Sequence, residues 1–281
     1  MIEVILVIVV LGIVSSIGAS IIAQAYESYL LSRSQYRANI KTEQALDQIA
    51  NRLRYAIPGT IVARDSVGSP TFTYITEINT TAQRNVLQWV GEDGDSFEAV
   101  SGSGSNGAAR RPGWSGFIDL NQSTKTVLLS PGSNFNLTNS IIQHLSGGSK
   151  SLSSARIFFP PQATHPSIPI TSGSGGESLS VSGLSPGDTI TERYKLAWSS
   201  YAVVFENGSL WLYYNFSPTV GASLGGATKS KLLANVTSFS FKGSEGSMWI
   251  KVCQYEPFAV GATSSSDTNV SKSCKEKIVL Y

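Results

Sequence analysis

The amino-acid sequence predicts an α+β protein: one long N-terminal α-helix packed on an antiparallel β-sheet head, with a disulfide-closed region near the C-terminus. Three observations predict it. An apolar run opens the chain and leads into a segment of helical periodicity that contains no glycine or proline between Ala23 and Pro58. Short β-type runs then alternate with turn clusters as far as Tyr281. The two cysteines, Cys253 and Cys274, both lie near the C-terminus.

The apolar run from Val4 to Ala23 is 20 residues long, roughly 30 Å of helix and about the thickness of a bilayer's hydrocarbon core. Glu3 stands alone at its head. A carboxylate there is costly in lipid and usually has a partner and a job. A secretory signal peptide competes for the segment, because Ala23-Gln24-Ala25 supplies a small-x-small cleavage site. Such a peptide wants a basic start and a shorter apolar stretch, and this start carries an acid and no base. A plain single-span anchor explains the length but not Glu3. Gly12, Ser15, Ser16, Gly18 and Ser20 place small and helix-weakening residues in this half, where lipid-embedded helices favour them for close packing.

Beyond Ala23, apolar residues recur at Tyr29, Tyr36, Ile40, Leu46, Ile49, Leu53 and Ile57, mostly in steps of three, four or seven. That spacing predicts one amphipathic face, and Pro58-Gly59 ends the element. The chain therefore divides into a transmembrane or assembly half of the helix (1–23), an amphipathic half (24–57) and a β-rich head (58–281). A continuous helix of about 55 residues would reach roughly 80 Å. Its first half needs lipid or other helices, and its second half needs a head to lie against. Arg33, Arg37 and Lys41 stack on one face. They form a solvated face or, in a helical assembly, meet Glu27, Glu43 or Asp47 of a neighbouring subunit.

In the head, Phe72–Thr76, Asn85–Val90 and Lys125–Leu129 have strand composition, and Ser140–Leu145 suits a short helix. Ser101–Gly107 and Ser172–Gly176 read as flexible loops. The clearest signal is Asn207-Gly208 between the β-rich arms Tyr201–Glu206 and Ser209–Tyr214, a two-residue hairpin turn. Leu232–Phe241, Met248–Cys253 and Lys277–Tyr281 follow as strands, which together predict a meander of four or five strands on the helix.

The N-terminal pattern, Glu3 followed by an Ile/Leu/Val-rich helix with Gly12 nine residues on, resembles processed type IV pilins and the pseudopilins of type II secretion. The C-terminal hairpin, then Leu232-Leu233 … Val236-Thr237-Ser238-Phe239, is similar to large minor pilins and J-type minor pseudopilins. That family places its glutamate four residues after a processed phenylalanine, so two further residues and a short basic leader are expected upstream of Met1. Pilins often carry a proline about ten residues past the family glycine, and Ile22 stands there instead. The resemblance covers residues 1–60 specifically and 195–253 more loosely. It implies a structural subunit whose Glu3 pairs with the N-terminal amine of the next subunit, with Gly12 and Gly18 packing or loosening the helix. The implied partners are other pilin or pseudopilin subunits and an inner-membrane assembly machine, with the head in the periplasm before assembly. Arg33, Arg37 and Lys41 alone would argue the reverse orientation for a plain anchor, and the expected leader would set the pilin one. The length of 281 residues points to a minor or initiating subunit. A large-headed major pilin and a non-polymerising membrane-anchored adhesion or binding protein are the alternatives.

Cys253 and Cys274 form an even pair in a chain with an export segment, which predicts a disulfide, with two free thiols the competing state. In the family that region often stabilises subunit contacts or carries surface interactions. Net charge is +2, leaving no electrostatic case for nucleic acid. His144 and His165 lack metal-ligand spacing, and no G-x-S-x-G, H-E-x-x-H or P-loop pattern occurs. No catalytic activity, metal or cofactor is expected. Trp89 and Trp114 are candidates either for glycan contact or for core. Asn79 and Asn269 sit in triplets with an acid two residues upstream, similar to the extended acceptor of bacterial oligosaccharyltransferases, and chance in a Ser/Thr-rich chain is the competing reading.

Overall fold

The structure is a computed structural model and describes residues 2–78, 84–102, 110–160, 167–174, 176–184, 190–244, 246–258, 264–267 and 269–281. A single helix, α1, runs unbroken from Ile2 to Leu53. It stops at Leu53 rather than at Ile57, for a backbone reason. Tyr55 and Ala56 close tight turns onto Arg52 and Leu53, and Ile57 then donates its N–H to Val90 O at 2.9 Å. The sheet takes the donor that a longer helix would need.

Six antiparallel strands follow in the spatial order Thr228–Leu233, Ser209–Phe216, Ser199–Glu206, Val86–Gly91, Val62–Arg64, Thr73–Tyr74. The Asn207-Gly208 turn is as predicted, with φ of 50° and 66° and Glu206 opposite Ser209. The run Phe72–Thr76 keeps only Thr73–Tyr74 as strand before a single 3-10 turn over Ile75–Glu77.

The predicted C-terminal meander is two sheets, not one. Asn235 adopts φ 56° and turns the chain between Leu233 and Val236, so Leu232–Phe241 is not a single strand. Leu233 completes the six-stranded sheet. Val236–Ser244 opens a separate three-stranded sheet with Ser247–Pro257 and Val270–Leu280. The last strand begins at Val270, well before Lys277, and pairs in continuous register with Ser247–Pro257. Along that middle strand Met248, Ile250, Val252, Gln254 and Glu256 alternate as the buried side.

The C-terminal part of α1 lies between these two sheets. Ala45, Leu46, Ile49, Ala50 and Leu53 meet Leu87, Trp89 and Val203 from one sheet and Phe239, Ile250 and Val252 from the other in one core. Trp89 is therefore core.

Ser199 pairs with Gly91, so the strands Val86–Gly91 and Ser199–Glu206 are neighbours in space. The whole segment 92–198 is inserted between them. It carries a five-stranded sheet in the order Lys195–Ala197, Arg156–Phe158, Ile168–Ser174, Ser178–Val181, Val127–Leu129 and a helix over Phe135–Leu145. That helix starts before the predicted Ser140, because Asn134 caps it by accepting Leu137 N–H at 3.3 Å. Ser172, Gly173 and Ser174 pair with Ser180, Leu179 and Ser178, so this Gly/Ser run is strand rather than loop. The insert has its own core around Trp114, Phe135, Ile142, Ile157, Leu179 and Leu196.

Candidate functional site

The first stretch of α1 stands clear of the head. No residue from Ile2 to Arg33 is buried, and the most apolar 18-residue window has a mean hydropathy of 2.8 with none of it covered. A helix satisfies its own backbone groups, so this segment is long and apolar enough to cross a membrane. Glu3 lies in the first turn, exposed, where the helix dipole favours an anion. A Cβ added at Gly12 or Gly18 would meet nothing within 4 Å. Among the described residues, no part of the head packs against either glycine.

The second half of α1 docks on the head through a face that the apolar periodicity marks only in its last part, at Leu46, Ile49 and Leu53. Its buried residues begin Ser34, Ala38, Thr42, Ala45, small side chains that bring the helix axis close to the three-stranded sheet. Tyr29 and Tyr36, predicted on the head-facing stripe, are 59% and 68% exposed. They share the opposite face with Tyr26, Arg33 and Arg37 at helical spacing. Tyr26 and Tyr29 lie roughly 5–9 Å of helix past Ala23, the depth of a lipid headgroup layer, where aromatic side chains anchor. Tyr36 and Arg37 lie roughly 20 Å past it and are out of headgroup reach.

Polar contacts fix the docking register. Ser34 Oγ donates to Glu256 O at 2.9 Å, and Lys41 Nζ donates to both Glu256 carboxylate oxygens at 2.8 and 2.9 Å. Gln254 Nε2 donates to Glu256 Oε2 at 3.2 Å, and Thr42 Oγ1 lies 3.1 Å from Gln254 Oε1. Ser273 Oγ donates to Asn39 Oδ1, and Lys277 forms an ion pair with Asp47. Lys41 and Asp47, expected to face solvent or a neighbouring subunit, are thus paired within their own chain. Among the described residues Arg33 and Arg37 form no ion pair, and Glu27 and Glu43 are exposed. Lys41 is half exposed while Glu256 is largely buried, so the pair holds a buried carboxylate in place and fixes where the helix sits.

Cys253 and Cys274 are bonded, as the cysteine pattern predicts, with Cα atoms 4.1 Å apart. They sit directly opposite on neighbouring strands, on the sheet face turned away from α1. The bridge ties together two strands whose ends, at Phe258 and Asn269, share a cleft with Leu30 and Leu31 of α1. Asn269 is exposed there, with its carbonyl accepting Phe258 N–H. Asn79, His165 and most of the Ser101–Gly107 run lie outside the described residues. Among the described residues, no three His, Cys, Asp or Glu come together to hold a metal ion.

Sequence reasoning missed the small-residue docking face and Glu256 as its polar centre. The periodic Ser34, Ala38, Thr42, Ala45 was the available signal. Comparison of the chain with family models, with curated proteins and with solved structures returns no match in any of the three.

Proposed function

We propose that this chain is a structural subunit of a type IV pilus or type II secretion pseudopilus. It sits in the bacterial inner membrane with its head in the periplasm before assembly, and enters the filament through α1 as a minor or initiating subunit. One observation carries this reading. An unbroken helix is docked by its second half and bare over its first, apolar on all sides, with one carboxylate at the head of the apolar run. A plain anchor would need the apolar length but neither the acid nor rigid continuity with a docked helix. The N-terminal residue pattern that resembles pilins supplies the remaining support.

Shearing filaments from cells and counting this chain against the most abundant subunit tests the proposal. Sub-stoichiometric presence is the expected result. Uniform presence would make it a major subunit, and absence from filaments together with full retention in the membrane would reduce it to a lone anchored binding protein. A reporter fused after Tyr281 should read out on the periplasmic side, and a cytoplasmic signal would end the reading.

A further inference from the structure

The inserted segment 92–198 contains an open cleft that neither the helix nor the six- and three-stranded sheets explain. It has a volume of about 590 Å3, and the aromatic rings of Phe97, Trp114, Phe117 and Tyr194 are part of its lining. Trp114 forms the floor, tilted against Phe97 at 4.8 Å and Tyr194 at 5.5 Å between ring centres. The floor's polar ends are already occupied: Trp114 Nε1 donates to Asp93 O at 2.9 Å, and the Tyr194 hydroxyl meets Ser130 Oγ at 2.9 Å. Phe97 and Phe117, by contrast, are 46% and 45% exposed at the mouth. Two half-exposed rings over a rigid aromatic floor are an unusual thing to leave in water, and clefts of this size and lining are where ligands bind.

The rim is charged. Lys195 and Glu92 form an ion pair where the inserted chain leaves and rejoins the six-stranded sheet. The backbone of Arg193 bridges to Phe117, which holds its side chain at the same mouth. Arg193 is exposed and forms no ion pair among the described residues.

We propose that this cleft is a carbohydrate subsite that takes an acidic sugar, its ring stacked on Phe97 and Phe117 and its carboxylate held by Arg193. A pyranose presents an apolar C–H face, a ring of hydroxyls and, in an acidic sugar, one carboxylate. The exposed phenylalanine rings match the first. The Lys195–Glu92 pair offers both a donor and an acceptor for the second. The guanidinium fork of Arg193 matches the third bidentately. A wholly apolar ligand would leave Arg193 unused and the ion pair partly desolvated, and a small inorganic anion would leave both rings bare. This inference does not depend on whether the chain assembles into a filament.

Saturation-transfer NMR on the full chain in detergent micelles tests it, with digalacturonate and sialyllactose as acidic probes and digalactose and lactose as neutral counterparts. At least one acidic probe should bind saturably, about tenfold or more tighter than its neutral counterpart. Arg193→Gln should erase that preference, and Phe117→Ala should remove binding of both members of the pair. Both side chains are exposed, so the far-UV circular dichroism and melting temperature of the variants should match the parent. The proposal is overturned if neither acidic probe binds, if the neutral sugars bind equally well, or if both variants bind like the parent.

Discussion

Asp93 stands at the neck where the inserted segment begins, buried, with Oδ1 accepting the Ser96 amide at 3.3 Å as the cap of the short helix Gly94–Glu98. Burial lifts its carboxyl from an ordinary 3.8 to about 6, and the Ser96 hydrogen bonds offset only part of that. The folded state therefore holds this proton more tightly than the unfolded state. Between about pH 4 and 6 the native chain binds the extra proton, so stability falls as pH rises through that window and stays lower above it. Asp93→Asn keeps the capping oxygen and removes the ionisation. The variant should gain on the order of 2–3 kcal/mol over the parent at pH 7 and nothing at pH 3, read as urea midpoints across that range. An advantage that does not grow with pH would show that Asp93 is solvated rather than buried. At this scale legibility follows how local the cause is. Asn207-Gly208 was readable because both turn residues need positive φ and lie side by side between β arms. Asn235 uses the same conformation at φ 56°, but a single asparagine between Leu232-Leu233 and Val236 reads as strand.

Among the elements, α1 was legible in existence, nearly in length, and in orientation only over Leu46, Ile49 and Leu53. Counting Tyr29 and Tyr36 as core-facing misplaced the face, because tyrosine serves a wet helix surface and a lipid boundary as well as a core. From Ser34 to Ala45 the docking face is legible only as small-residue periodicity, a pattern that lacks hydrophobic contrast, whereas Leu46, Ile49 and Leu53 beyond it lie on the predicted stripe. Ala38, fully buried on α1, tests how tightly that face is packed. Ala38→Leu would force extra side-chain volume between α1 and the three-stranded sheet, and overpacking of this kind costs about 1–3 kcal/mol. The loss should appear in hydrogen exchange as faster opening of Ser247–Pro257 and Val270–Leu280, while the inserted segment stays protected. Unchanged protection across those two strands would mean the helix is loosely seated. The division of the C-terminal strands into two sheets escaped the sequence for a related reason. Each strand is ordinary, and only one backbone turn decides which face of α1 it covers.

For the molecule as a whole, the insertion of 92–198 between two paired strands was invisible, because Gly91 and Ser199 meet only in the fold. It separates the chain into a helix-bearing part and a second core that α1 does not touch. Under the proposed function, assembly falls to the bare stretch of α1 and the proposed ligand contact to the inserted segment. In lipid Glu3 is costly without a partner, with insertion penalties of about 2.5–3.5 kcal/mol for comparable charges at a helix centre and less near the ends. In a bundle of such helices, the N-terminal amine of an arriving subunit placed beside Glu3 would form a charge-assisted contact in low dielectric and set the axial register. Glu3 is exposed and no described residue of the head pairs with it, so Glu3→Ala should leave folding, the disulfide and membrane insertion intact. Incorporation into sheared filaments should be abolished or sharply reduced, measured against membrane-retained chain in the presence of all other subunits. Glu3→Gln separates charge from shape: it should fail as Glu3→Ala does if the pairing is ionic, and should incorporate if a neutral hydrogen bond suffices. A subunit at the very tip has no predecessor to dock against and would tolerate both changes. Normal incorporation of Glu3→Ala at positions along the shaft would show that the acid does not guide docking.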